Sequence, residues 1–119
     1  MASIQVGNHK VAAGLLAGII ATASFGCASF QGARLYQRGT AALDRGENSI
    51  AITRLERAAE LVPTASEIQN HLGLAYQAAG RGVDAEFAFR RAVDLDCTNA
   101  AAAENLRTVE SIGQSRAQR

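Results

Sequence analysis

His71 and Cys97 are the two side chains with which a thiol nucleophile would begin, an imidazole to take a proton and a sulfur to attack. No residue near either one supplies the orienting group or the oxyanion donors that such a site needs, so the pair carries no catalytic expectation. His9 lies in the N-terminal leader. Gly80-Arg81-Gly82 is a fragment of a phosphate-binding loop, but it sits between two helical patterns and follows no strand. Asp94 and Asp96 are close neighbours of the sort a solvated helix end provides, which is weak evidence for a cation. Two cysteines, Cys27 and Cys97, give neither a disulfide framework nor zinc spacing. The expectation is a non-enzymatic chain with no cofactor and no metal.

The remaining chemistry is at Cys27. Lys10 and the N-terminal amine precede VAAGLLAGIIATASFGCASF, residues 11–30, which has no charged residue. An apolar run behind a weakly basic head reads as an export signal or a membrane anchor. Three outcomes compete. Ser24-Phe25-Gly26-Cys27 resembles a bacterial lipobox, in which the cysteine is lipidated and becomes the new N-terminus; Gly26 fits, Ser24 is tolerated, and Phe25 fits poorly. Ala21-Thr22-Ala23 offers an ordinary cleavage site. Without cleavage, Gly14, Gly18, Thr22 and Gly26 share one helix face, and Gly14 and Gly18 would let two membrane helices pack closely in a dimer. Arg34, Arg38 and Arg45 follow the run while only Lys10 precedes it, and that bias favours a cytoplasmic C-terminal part. Lipidation of Cys27 is the preferred reading, and places the chain in the cell envelope, facing the periplasm or on the outer membrane.

Charge removes one class of partner. Past the leader, eleven arginines face eleven acidic residues, so no basic field exists to hold nucleic acid. With 48% apolar residues but only 5% aromatic ones, the core must be built from Ala, Leu, Ile and Val, closely packed as between helices.

Such packing shows in an internal repeat. Displaced by 34 residues, the chain matches itself: Gly39 on Gly73, Ala41 on Ala75, Gly46 on Gly80, Ala51 on Ala85, Arg57 on Arg91, Ala58 on Ala92, Leu61 on Leu95 and Thr64 on Thr98. Leu55 falls on Phe89, and a further step places Leu72 on Leu106. Gly39 and Gly73 inside helices cost about 1 kcal/mol each against alanine, which implies two helices crossing closely there. Ala51, Ala58, Ala85 and Ala92 do the same on the second helix of each pair, and Leu55, Phe89, Leu72 and Tyr76 fill the gaps. Gly46 and Gly80 mark turns that need a positive φ. Pro63 stops a helix, and Asn99 caps the next one.

The period and residues resemble the tetratricopeptide repeat, a helix-turn-helix unit of the pattern W-x2-L-G-x2-Y…A-x3-F…P. Residues 66–99 supply Gln69, Leu72, Gly73, Tyr76, Ala85, Phe89 and Cys97, with Gln69 in place of the tryptophan and Cys97 in place of the proline. Residues 32–65 supply Leu35, Arg38, Gly39, Ala42, Ala51, Leu55 and Pro63. The expected fold is all-α: a signal or anchor over 1–31, repeat units over 32–65 and 66–99, a capping helix over 100–113 ended by Gly113, and a frayed tail over 114–119.

The resemblance implies a concave groove lined by the first helix of each unit. Its residues here are Tyr36, Thr40, Leu43 and Asp44, then Asn70, Leu74, Gln77 and Ala78, with Glu104 and Thr108 from the cap. Family members that grip a C-terminal carboxylate use lysine and asparagine where this chain has Tyr36 and Thr40, so the likeness does not extend to that clamp. The implied function is a membrane-tethered module that binds a protein or peptide, itself membrane-bound, during assembly of a pilus, a secretion system or an outer-membrane system. The alternative is a structural membrane protein that self-associates as a homodimer, because two repeats make a short stack.

Overall fold

The computed structural model describes the backbone of residues 9–119 and the side chains of residues 26–119. Among the described residues five helices follow one another: α1 His9–Asp44, α2 Asn48–Leu61, α3 Ser66–Ala78, α4 Gly82–Leu95 and α5 Ala100–Ala117. The described residues are all-helical, with no strand. Gly14, Gly18 and the Ala21-Thr22-Ala23 site lie outside the residues whose side chains are described. Among the described residues no helix is long and apolar enough to cross a membrane.

The turns explain why the chain folds back where it does. Gly46 and Gly80 have φ of 75° and 76°. At the first turn, the N–H of Glu47 donates to the Ala42 carbonyl and that of Gly46 to the Leu43 carbonyl. At the second turn, Arg81 donates to Tyr76 and Gly80 to Gln77. Both ends are Schellman caps, in which a left-handed glycine satisfies carbonyls that the helix leaves open. The hydrogen bonds of the second turn are those of the first, displaced by 34 residues.

The helix crossings repeat in the same register. A Cβ on Gly39 would lie 2.7 Å from Cγ of Leu55, and one on Gly73 would lie 2.5 Å from Cε1 of Phe89. Among the described residues Leu55 and Phe89 are the largest fully buried side chains. Ala51, Ala58, Ala85 and Ala92 are fully buried as well, Ala51 in one cluster with Leu55 and Ala85 in another with Phe89. The glycines therefore recover their propensity cost by letting α2 close onto α1 and α4 onto α3. One cluster joins Ala42, Ala51, Ile52, Leu55, Leu72, Ala75 and Ala88; a second joins Ala85 and Phe89 to Val109 of α5. A Cβ on Gly32 would collide with Val62, so the end of α2 and the start of the α2–α3 loop are seated against the second half of α1.

α1 runs unbroken through residue 31, where the leader was expected to give way to the first unit. One helix end differs from that expected. The last helix does not end at Gly113; it continues to Ala117. No neighbour lies within 4 Å of where a Cβ on Gly113 would stand, and the residue has no positive φ, so nothing there turns the chain. One exposed glycine costs about 1 kcal/mol, too little to break a helix that Arg116 favours at its C-terminal end.

Candidate functional site

Side chains of α1, α3 and α5 meet along one side. Tyr36 and His71 meet edge to face, with ring centroids 5.2 Å apart. The Tyr36 hydroxyl lies 3.2 Å from Nδ1 of His71, which is also 3.0 Å from the Glu67 carbonyl. A proton on Nδ1 serves the carbonyl, and a bare Nδ1 accepts from the tyrosine. Burial first, then the nearby Glu67 charge, raises the Tyr36 phenol above its ordinary value. One unit later, Nδ2 of Asn105 donates to Oδ1 of Asn70 at 2.9 Å. Asn70 is buried and is part of the α3–α5 joint.

The expected groove residues divide accordingly. Thr40 is half-buried and donates its hydroxyl to the Gln37 carbonyl. Leu43 is half-buried against the first core cluster, and Leu74 against the second. Asp44, Gln77 and Ala78 are exposed. The Ala78 carbonyl accepts from Asn48 at 3.0 Å, which ties the end of α3 to the start of α2. Glu104 and Thr108 are exposed on α5. Tyr36, Leu43, Asn70 and Leu74 are thus packed against the core or a neighbouring helix, Thr40 is half-buried, and Asp44, Gln77 and Ala78 face outward.

The joint at the start of α3 and α5 is fully bonded. Ser66 donates to the Ala92 carbonyl at 2.9 Å, and Asn99 Nδ2 donates to the Ser66 hydroxyl at 2.8 Å. Oδ1 of Asn99 accepts from the Ala102 N–H at 3.0 Å, the helix cap read from the sequence.

The residues considered for chemistry are engaged elsewhere or exposed. Asp96 accepts from the N–H and hydroxyl of Thr98, and these bonds hold its carboxyl below the usual range. Gly80-Arg81-Gly82 forms the α3–α4 turn, where Arg81 stacks over the Tyr76 ring at 4.6 Å and pairs with Asp84. Cys27 and Cys97 are exposed thiols.

Two contacts between helices and one cleft were not read from the sequence. Asn105 and His71 matter because α5 and α3 bring them against Asn70 and Tyr36. A cleft between α1 and α2 gathers Gln31, Arg34, Leu35, Arg38, Arg57 and Leu61. The i, i+4 spacing of Arg34 and Arg38 was legible, but Arg57 joins them only through the pairing of α2 with α1. No family model matches the chain, and no curated protein matches it.

Proposed function

We propose that the chain is a tetratricopeptide-type interaction module, tethered to a bacterial envelope membrane through its N-terminal segment, that receives a peptide or helix of a membrane-associated protein. One observation supports the repeat reading above others. Turn bonds, glycine crossings and contacts between first helices recur at 34 residues, the period of that repeat. The α1–α3–α5 side offers a firm wall with polar groups at Thr40, Asp44 and Gln77. A partner laid along it is read by side-chain pockets. Tyr36 and Leu43, packed in place, set the shape of the wall. Anchorage rests on the apolar run and the exposed Cys27.

The test is a photoreactive residue placed at Thr40 or Gln77 in the full chain expressed in a Gram-negative host, with Val83 on α4 as the outer-face control. The expected result is a crosslink to a membrane-associated protein from Thr40 and Gln77 and none from Val83. Crosslinks only between copies of this chain would replace the proposal with self-association. Intact mass of the same material tests the tether: a chain beginning at acylated Cys27 supports lipidation, and one retaining Met1 or Ala2 supports an uncleaved anchor.

A further inference from the structure

We infer that the Arg34–Arg38–Arg57 cleft is a docking site for the headgroups of anionic phospholipids, so that the repeat domain is held at the membrane in a fixed orientation as well as tethered to it. The inference rests on the membrane-tethered reading for its geometry. Arg34 and Arg38 are one turn apart on α1, and Arg57 reaches the same cleft from the last turns of α2, beside Leu61. Leu35 and Leu61 give the cleft an apolar lining, and Gln31 adds an amide donor. Among the described residues neither Arg34 nor Arg38 forms an ion pair, while Arg57 pairs with Glu60 on the surface. Two unneutralised guanidinium groups and a third held by one exposed carboxylate form a site for phosphate, which arginine binds in bidentate fashion.

Position selects the source of that phosphate. Phe30, Arg34 and Arg38 fall on one stripe of α1, at steps of four residues. Phe30 is 65% exposed, and the Arg34 guanidinium lies 5.8 Å from its ring centroid. Phe30 closes the apolar run. At 1.5 Å per residue, Arg34 stands about 10 Å along the helix from Cys27 and Arg38 about 16 Å. The headgroup layer of a bilayer is roughly 5–8 Å deep on each side, and arginine side chains extend back toward it along their apolar stems. An acyl chain on Cys27 and an uncleaved anchor both bring the cleft to that layer. Juxtamembrane arginines add attraction to anionic lipid that salt screens.

The experiment uses the full chain in nanodiscs of phosphatidylcholine alone or with about one third phosphatidylglycerol. Hydrogen exchange of residues 31–38 and 57–61 is the readout. The expected result is stronger protection of both segments on the anionic discs, fading with salt and abolished in the Arg34→Gln/Arg38→Gln/Arg57→Gln variant. Each single substitution should weaken apparent affinity for anionic lipid about fivefold. Arg91→Gln, at the corresponding place in the second unit, should leave it unchanged. Equal protection on both discs, or a triple variant that behaves like the parent, overturns the inference. Protection on neutral discs by dissolved glycerol phosphate at matched concentration would assign the cleft to a free phosphate ester and overturn the lipid assignment. A chain that fails to remain with neutral discs refutes the tether. Flotation with anionic vesicles, lost in the triple variant, would then still support the cleft, and its absence would refute it.

Discussion

Asn105 donates to buried Asn70 at 2.9 Å in the place where, 34 residues earlier, His71 meets Tyr36. One contact between first helices is thus built twice with different chemistry. The aromatic version leaves a phenol and an imidazole at a half-buried seam. The amide version closes the joint between α3 and the last helix.

Removing one amide should show the difference. In Asn105→Ala, the buried Asn70 oxygen loses its partner, at a cost of about 1–3 kcal/mol. Replacing both by leucine should recover most of that, since two apolar groups leave no orphan. Urea denaturation of the single and double variants measures it; additive losses would mean that the two amides do not act as a pair.

Glycine-to-alanine substitutions should have opposite signs at two positions. At Gly73 the new Cβ meets the Phe89 ring, which is fully buried and cannot retreat. Overpacking of about 1–3 kcal/mol outweighs a propensity gain of up to about 1 kcal/mol, so Gly73→Ala destabilises. At Gly113 nothing lies in the way, and Gly113→Ala should gain up to about 1 kcal/mol of helix stability. Thermal melts compare them, and Phe89→Leu should relieve part of the Gly73→Ala loss.

These positions also mark what could be read from residue order. Gly39, Gly73, Gly46 and Gly80 were legible because each does something only glycine does, and a 34-residue recurrence separates such needs from chance. The helix pairs and most of the small-residue core followed from them. Gly113 misled because a glycine with no neighbour and an ordinary φ looks the same in sequence as one that ends a helix. Asn70 read as a groove residue because nothing in the sequence shows that Asn105 will meet its side chain. Arg57 was legible as a repeat position but not as the third arm of a cleft, because that depends on how far α2 runs back along α1.

The turn glycines differ from the crossing glycines in what they tolerate. Gly80 has free space around it and a φ of 76°. Gly80→Ala should therefore cost about 1–2 kcal/mol through backbone strain alone, and Gly80→Asn clearly less, because asparagine visits that region more readily. Equal losses for alanine and asparagine would point to a packing cause instead.

Tyr76 should make the fold sensitive to alkali. Its hydroxyl donates to Glu56 Oε1 at 2.6 Å, and Arg81 lies over its ring. Burial is the main cause, and the bond to Glu56 and that carboxylate's charge add to it; together they push the phenol from 10.0 to about 12. The folded chain keeps this proton more tightly than the unfolded chain does. The stabilisation is therefore complete below pH 10 and is lost as pH rises through about 12. Tyr36, whose phenol is also raised, adds to the same decline. Urea midpoints should be flat across neutral pH and fall above pH 10. Tyr76→Phe should lower stability near neutrality by about 1 kcal/mol, the worth of a partly exposed bond to a charged group, and should flatten much of the alkaline fall. If the slope above pH 10 is unchanged in Tyr76→Phe, the proton is not held by this site, and the Tyr76–Glu56 bond does not contribute to the α2–α3 seam.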